Sequence, residues 1–203
     1  MILDLYFIRH ALSQANEASL VTGDKDDNLS HTGIKQAEKL SEYLKCLNIP
    51  FNHYYVSDWK RAMQTAEIIF PEKKLISVKE LGETDAGHVS NYKEKKFFKL
   101  YPEYINDYSA ERKYPGGDSH LDLFRRVNGW LEKLLYIWNG ADTVAIVAHN
   151  GSIAAMLHYF YKVALKTFPA FELQNGAVCY ISIKSRANNH HPVLKILNAS
   201  ICY

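Results

Sequence analysis

Short apolar runs recur along the chain and predict the strands of a β-sheet. Each run is rich in β-branched or aromatic residues and is shorter than an ordinary helix, which favours a strand buried on both faces. The predicted strands span residues 2–8, 52–57, 75–78, 143–148, 178–183 and 193–197.

Between these runs, apolar residues recur at the spacing of an amphipathic α-helix. Pro71 ends one such segment because proline cannot continue a helix, and Asp118 or Ser119 is expected to cap another. The predicted helices span residues 33–47, 59–70, 119–138 and 152–161. Strands that alternate with helices predict a layered α/β fold with a mostly parallel sheet.

Residues 83–115 interrupt this alternation because they are polar, aromatic-rich and weakly patterned. No repeat, low-complexity segment or Gly/Ser linker marks a domain boundary. We therefore predict a single domain over residues 1–203, with an insertion at about residues 83–117 that covers the active edge of the sheet. The aromatic side chains of this insertion suit either internal packing or a substrate pocket: Tyr92, Phe97, Phe98, Tyr101, Tyr104 and Tyr108.

The charge of the chain argues against a nucleic acid partner. The formal net charge is only +2, with basic and acidic residues interspersed, so positive potential must come from a few converging side chains. A small anionic ligand fits that arrangement. Cys46, Cys179 and Cys202 have no CxxC spacing, and the N-terminal pattern is neither a membrane span nor a signal peptide. We expect a cytoplasmic protein with free thiols and no membrane partner.

Two histidines follow predicted strands directly. His10 ends the run YFIRH, and His149 ends the run VAIVAH. In open α/β sheets, ligands bind outside the carboxyl ends of the strands, so two parallel neighbours would bring both imidazoles into one pocket. Either histidine alone is equally well explained as a satisfied side chain in a strand-end turn; together they favour a functional site.

Two arginines accompany these histidines. Arg9 precedes His10 at the end of an apolar strand, where a buried guanidinium requires an anionic partner. Arg61 lies at the start of the second predicted helix, where backbone N–H groups also attract anions. Because arginine binds phosphate through paired, fixed-charge donors, this combination indicates a phosphate site.

Six segments, in order over nearly the whole chain, resemble the motifs of the histidine phosphatase superfamily, which also contains the cofactor-dependent phosphoglycerate mutases. The segments are RHALSQAN, DDNLSHTGIKQA, SDWKRAMQTA, ELGETDAGH, YPGGDSHLDLFRRV and VAIVAHNGSI. The resemblance implies the three-layer α/β/α sandwich of that family. The PGGDS segment and the modest length are most similar to its small phosphatases, such as the broad-specificity and α-ribazole-phosphate enzymes.

The resemblance also implies roles for particular residues. His10 would be the nucleophile that forms a phosphohistidine, and Glu83 would donate a proton to the leaving oxygen. The expected phosphate-binding residues are Arg9, His10, Asn16, Arg61, His149 and Asn150. Expected near the substrate are Ser13, Thr22, Gly23 and Tyr92. The implied chemistry needs no metal and no cofactor, and the substrate is a small phosphomonoester.

The chain departs from the family pattern at two positions beside the histidines. Ala11 and Asn150 stand where the family usually has glycine. Alanine excludes positive φ unless the site tolerates strain, whereas asparagine accepts it more readily. We expect activity to survive both changes.

Three alternatives stay open at this point. The chain could transfer the phosphoryl group as a phosphoglycerate mutase does, or it could bind a phosphorylated ligand without catalysis. It could also form a homo-oligomer. His190 and His191 are expected in a solvated loop before the last strand and not in a metal site.

Overall fold

The computed structural model describes residues 2–138, 140–186 and 189–199, with the backbone alone at residues 185, 186, 189 and 190. Its described strands are β1 (Ile2–Arg9), β2 (His53–Ser57), β3 (Ile76–Val78), β4 (Asp142–Ala148), β5 (Val178–Arg186) and β6 (Asn189–Ala199). They form one six-stranded sheet in the order β3-β2-β4-β1-β5-β6. The strands β3, β2, β4 and β1 run parallel to one another, β5 pairs antiparallel with β1, and β6 pairs antiparallel with β5. The prediction of a mostly parallel sheet is therefore confirmed.

Helices cover both faces of this sheet. The described helices are α1 (Gln14–Glu17), α2 (His31–Leu47), α3 (Lys60–Ile69), α4 (Glu94–Leu100), α5 (Glu103–Asn106), α6 (His120–Ile137) and α7 (Asn150–Tyr161). The four long helices, α2, α3, α6 and α7, were predicted within two residues of their observed ends. The sequence pattern did not predict α1, α4 and α5, which are too short to display a helical period.

The alternation of side chains along β4 separates the two cores of the domain. Val144 and Ile146 belong to the core under α6 and α7, whereas Ala145 and Val147 belong to the core under α2 and α3. All four are essentially inaccessible to solvent. A strand buried on both faces requires a helical layer on each side, which confirms the three-layer α/β/α sandwich.

Local capping fixes where the long helices begin. The Ser30 hydroxyl accepts a hydrogen bond from the backbone N–H of Gly33, and Ser119 forms a capping box with Asp122. A Cβ atom at Gly33 would lie 1.9 Å from the carbonyl oxygen of Leu12. The start of α2 therefore packs directly on the loop that follows β1, and it holds that loop at the carboxyl edge of the sheet.

The expected loop at His190 and His191 is wrong, because β6 begins at Asn189 and both residues pair with β5. Pairing with β5 extends β6 beyond the apolar residues at its centre, and the local sequence pattern does not indicate that pairing. Cys46 and Cys179 are free thiols, and Cys202 lies outside the described residues.

The segment predicted as an insertion folds into short helices around one buried ring. Phe97 is 1% exposed and contacts the rings of Tyr101, Tyr104 and Tyr114. Internal packing therefore accounts for Phe97, Tyr101 and Tyr104, whereas Phe98 and Tyr108 are exposed. Within the part of the chain that the structure describes, no helix is long and apolar enough to cross a membrane.

Candidate active site

His10 lies at the carboxyl end of β1 with a defined tautomer. Its side chain is buried, and Nδ1 lies 2.8 Å from the carbonyl oxygen of Ala11. A carbonyl can only accept, so Nδ1 carries the proton and Nε2 carries the lone pair. Burial and the charges of Arg61 and Arg9 hold the pKa of His10 well below its ordinary value. The imidazole is therefore neutral, with Nε2 available as a nucleophile.

Arg61 is the charged group in direct contact with that lone pair. Its Nε donates to His10 Nε2 over 3.1 Å, and the other guanidinium nitrogens donate to the carbonyl oxygens of Asp24 and Thr22. The Asp27 carboxylate lies 3.5 Å away, and both side chains of this ion pair are buried. Because the first turn of α3 follows β2 directly, the fold brings this guanidinium to the strand ends, as predicted.

His149 follows β4 and faces His10. The centroids of the two imidazole rings are 5.0 Å apart. His149 Nε2 lies 2.9 Å from the Ser57 hydroxyl, and Nδ1 is buried with no hydrogen-bond partner among the described residues. Burial, followed by the charge of Arg61, holds the pKa of His149 well below its ordinary value. Parallel pairing of β1 and β4 thus brings the two histidines together, as the strand-end rule predicts.

Arg9 lies at the last position of β1, and its partner is a carbonyl group. One terminal nitrogen donates to the carbonyl oxygen of Leu173, while Nε is buried and has no partner in the described part of the chain. Burial lowers the pKa of Arg9, and the carboxylates of Glu83 and Glu172 oppose that change. The expected anionic partners are therefore Glu83 and Glu172, which act on Arg9 through their charge and form no direct ion pair with it among the described residues.

Glu83 is held against the N-terminus of α7. Its Oε2 accepts from the backbone N–H of Gly151 over 2.9 Å, and Oε1 accepts from that of Thr84 over 2.8 Å. A Cβ atom at Gly151 would lie 2.2 Å from Oε1, so any larger residue would displace this carboxylate. From α6, Arg126 donates to the carbonyl oxygens of Glu80, Gly82 and Glu83 and so fixes the loop.

The loop at Thr22 and Gly23 contributes backbone groups to the site. Thr22 offers its carbonyl oxygen to Arg61, and its hydroxyl donates to the carbonyl oxygen of Gly23. Gly23 has φ +67°, and a Cβ atom there would lie 2.7 Å from the Cβ of Ala15. Both residues therefore lie beside the guanidinium of Arg61, where the sequence places them near a substrate.

The two predicted asparagine ligands already use their carboxamide oxygens inside the protein. Asn16 Oδ1 accepts from the backbone of Ser13 and from Asn175, and Asn150 Oδ1 accepts from the backbone of Leu173. Their amide nitrogens are the groups left to donate to a phosphate. Ser13 is buried and caps α1 with its hydroxyl, so its first role is structural.

The two replaced glycines cause no backbone strain. Neither Ala11 nor Asn150 has a positive φ, and Asn150 is the first residue of α7. The backbone N–H of Ala11 donates to the Thr65 hydroxyl, which fixes the turn after His10. The backbone at positions 11 and 150 therefore does not require glycine.

Tyr92 lies at the edge of the aromatic cluster around Phe97. It packs against that cluster, and the ammonium of Lys96 lies 4.1 Å from the centroid of its ring. Among the described residues, no group of three or more His, Cys, Asp or Glu side chains could hold a metal ion.

Ser57 and Gly151 are among the residues that sequence reasoning missed and that act on the predicted ones. Ser57 contacts His149 across 92 positions of sequence, and Gly151 receives the Glu83 carboxylate across 68. Both lie inside recognised motifs, at the start of SDWKRAMQTA and in VAIVAHNGSI. Motif membership was therefore the available signal, but the partner of each residue depends on the fold.

Comparisons with known proteins identify a family model and relatives that are similar over most of the chain. The family model described as "Histidine phosphatase superfamily (branch 1)" matches residues 5–195. Phosphoserine phosphatase 1 of Hydrogenobacter thermophilus is 31% identical over 193 residues, which cover 92% of this chain and 90% of that protein. A 2,3-bisphosphoglycerate-dependent phosphoglycerate mutase of Methylocella silvestris is 27% identical over 191 residues, covering 89% and 92%.

A solved structure is similar over the whole fold. The mycobacterial glucosyl-3-phosphoglycerate phosphatase superposes with a TM-score of 0.85 at 25% sequence identity. The match covers 98% of this chain and all of that one.

Proposed function

The chain belongs to the histidine phosphatase superfamily, and on that premise we propose that it hydrolyses small phosphomonoesters through a phosphohistidine on His10. Its relatives include named phosphatases, so phosphoryl transfer is its general chemistry. The observation that carries the specific mechanism is the tautomer of His10. The Ala11 carbonyl holds the proton on Nδ1, which leaves the Nε2 lone pair inside a group of cations.

In the first step, His10 Nε2 attacks the phosphorus atom and the bond to the ester oxygen breaks. The Glu83 carboxyl group gives its proton to the departing alkoxide, which leaves as an alcohol. Positive charge develops on the imidazole as the N–P bond forms, and the carbonyl of Ala11, 2.8 Å from Nδ1, stabilises it.

Arg61 must release His10 Nε2 before this attack. Phosphate oxygens are charged acceptors and bind a guanidinium more strongly than a neutral imidazole does, so the substrate itself draws Arg61 away from the lone pair. Arg9 reaches the same phosphate from the neighbouring strand position. Its buried Nε is a donor without a partner in the described residues, which suits an anionic ligand.

His149 completes the phosphate site with Nδ1. The Ser57 hydroxyl accepts from the backbone N–H of Trp59 and lies 2.9 Å from His149 Nε2, to which we propose that it donates its proton. That arrangement keeps a proton on Nδ1, the atom left without a partner, so that it donates to a phosphate oxygen. The amide groups of Asn16 and Asn150 supply further neutral donors.

In the second step, water attacks the phosphohistidine and the N–P bond breaks. The Glu83 carboxylate accepts the proton of the water, which restores the enzyme and releases inorganic phosphate. This step distinguishes a phosphatase from a mutase, in which a second alcohol takes the place of water. We propose a single domain and no metal requirement, so hydrolysis persists in the presence of a chelator.

The mutase alternative rests on the relatives of that name, such as the Methylocella silvestris enzyme. A panel of phosphomonoesters tests both proposals, with 3-phosphoglycerate and 2,3-bisphosphoglycerate included and His10→Ala as the control. We expect phosphate release from the wild type and none from the variant. Isomerisation of phosphoglycerate that depends on the bisphosphate would identify a mutase. Absence of both phosphate release and isomerisation with every ester would contradict catalysis.

A further inference from the structure

A cavity of about 470 Å³ opens beside the candidate proton donor Glu83. Trp59 lies in its wall, and the same indole ring contacts both the His149 imidazole at 5.1 Å and the Arg61 guanidinium at 4.7 Å. The cavity therefore adjoins the place where the ester oxygen must lie. It is the natural position for the alcohol part of a substrate.

Two ion pairs neutralise part of the charge in the wall of the cavity. Lys25 lies 2.6 Å from Asp58, and Arg126 lies 3.4 Å from Asp118. Arg126 also gives its hydrogen bonds to the loop that carries Glu83, so it is not free to bind a ligand. These four side chains contribute no net charge to a substrate in the cavity.

The remaining charges in the wall are mainly negative. Asp24 and Asp85 belong to no ion pair within the described residues, and Lys79 is the cation that faces them without an acidic partner there. Hydrogen bonds hold both carboxylates in place. Asp85 accepts from the backbone of Gly87 over 2.8 Å, and Asp24 accepts from Asn91 over 3.0 Å.

We propose that Asp24 and Asp85 make this cavity select against esters whose alcohol part carries a further negative charge. The inference rests on the proposed phosphatase activity and adds a substrate class to it. A carboxylate or second phosphate on the leaving group would lie among carboxylates that hydrogen bonds prevent from turning away. The repulsion disfavours bisphosphorylated ligands in particular, which a mutase must hold.

A matched pair of esters tests the proposal. sn-Glycerol 1-phosphate and 3-phospho-D-glycerate share a carbon chain and the configuration of its central carbon, and they differ in one group, a hydroxymethyl against a carboxylate. The wild type should hydrolyse the glycerol ester with the higher kcat/KM, so the ratio of its kcat/KM to that of the phosphoglycerate should exceed one. Asp85→Asn, which keeps an oxygen for the Gly87 N–H, should raise kcat/KM for the phosphoglycerate about threefold to tenfold and narrow the ratio. Lys79→Gln should widen the ratio by a similar factor.

Asp142→Asn is the matched control, because it removes the same charge at the opposite end of β4. With a rise of about 3.3 Å per residue, that position is roughly 23 Å from His149. The ratio should not change in this variant. In the wild type, the ratio should also narrow at 1 M salt, where the Debye length falls to about 3 Å.

Three results would overturn the inference while leaving the phosphatase proposal intact. One is a ratio that neither Asp85→Asn nor Lys79→Gln alters, and another is an equal change in Asp142→Asn. The third is hydrolysis of an aryl phosphate with neither glycerol-derived ester accepted, which would mean that the cavity does not hold such an alcohol. Absence of phosphate release from all three esters would instead contradict the proposed function itself.

Discussion

Replacing Gly151 by alanine would press a methyl group against the carboxylate of Glu83. The new Cβ atom would lie 2.2 Å from Oε1, whereas ordinary contacts begin at 3.4 Å, so the carboxylate must move by about 1.2 Å. The same Cβ atom would lie 3.0 Å from the side chain of Leu123, which is also closer than an ordinary contact. Displacement also weakens the hydrogen bond from the Gly151 N–H to Oε2.

The expected cost is about 100-fold in kcat/KM for an alkyl phosphate, since a misplacement of about 1 Å has an effect of that order. The parameter kcat/KM reports the first step and excludes the later attack of water, in which Glu83 also acts. An alkoxide requires the proton of Glu83, whereas a nitrophenolate departs without one. The loss of kcat/KM for 4-nitrophenyl phosphate should therefore stay below about fivefold. Glu83→Gln should reproduce this dependence on the leaving group without any steric clash.

Gly129→Ala is the matched control for the substitution. Gly129 also lies within a helix, and a Cβ atom there would contact nothing within 4 Å. That variant should keep full activity and gain about 0.5–1 kcal/mol in stability from helix propensity. Thermal unfolding of both variants shows whether Gly151→Ala remains folded under the conditions of the assay.

Steady-state hydrolysis of the two classes of ester decides the outcome. An equal loss of kcat/KM for alkyl and aryl esters in a folded Gly151→Ala protein would refute the role of Glu83 as proton donor. Unchanged kcat/KM with both esters would refute the requirement for glycine beside this carboxylate.

Three further predictions concern the groups around the phosphate. Ser57→Ala should lower kcat about tenfold because His149 Nε2 loses its partner at 2.9 Å, and unchanged kcat in steady-state assays would exclude the proposed tautomer control. Asp27→Asn should weaken competitive inhibition by inorganic phosphate about tenfold because Arg61 loses its buried carboxylate; an unaltered inhibition constant would count against that role. Burial and nearby guanidinium charges depress the folded-state pKa of His10 and His149 below 6.5, so the unfolded chain binds these protons first as pH falls. Stability should therefore drop below pH 6.5, by up to about 1.4 kcal/mol per pH unit for each histidine, and denaturant titrations of His10→Gln should show a shallower dependence.

The sequence predicted most reliably the site residues that lie at the ends of strands. His10 and His149 each follow a continuous apolar run, and parallel pairing of those runs brings their rings to 5.0 Å. The helix that begins just before Arg61 was likewise predicted from its period and from the proline beyond its end. Local patterns sufficed because each of these elements is long and buried.

Contacts between distant segments were beyond the local pattern. The approach of Glu83 to Gly151 depends on the loop that Arg126 holds, and nothing near Gly151 in sequence indicates a carboxylate. The helices around Phe97 have seven and four residues, too few for a helical period to show, so the aromatic residues alone could not distinguish packing from a pocket. The ends of β6 depend on pairing with β5 and not on its own composition.

The most direct test of the account is to trap the phosphoryl group on the enzyme. Wild-type protein is mixed with a phosphomonoester, quenched with base within the first turnover, and mapped by mass spectrometry. We predict a phosphohistidine at His10, lost on mild acid treatment, and His10→Ala should show neither label nor phosphate release, with kcat reduced by at least about 10⁴-fold. Turnover that persists in His10→Ala, or a label on any other residue, would contradict the mechanism.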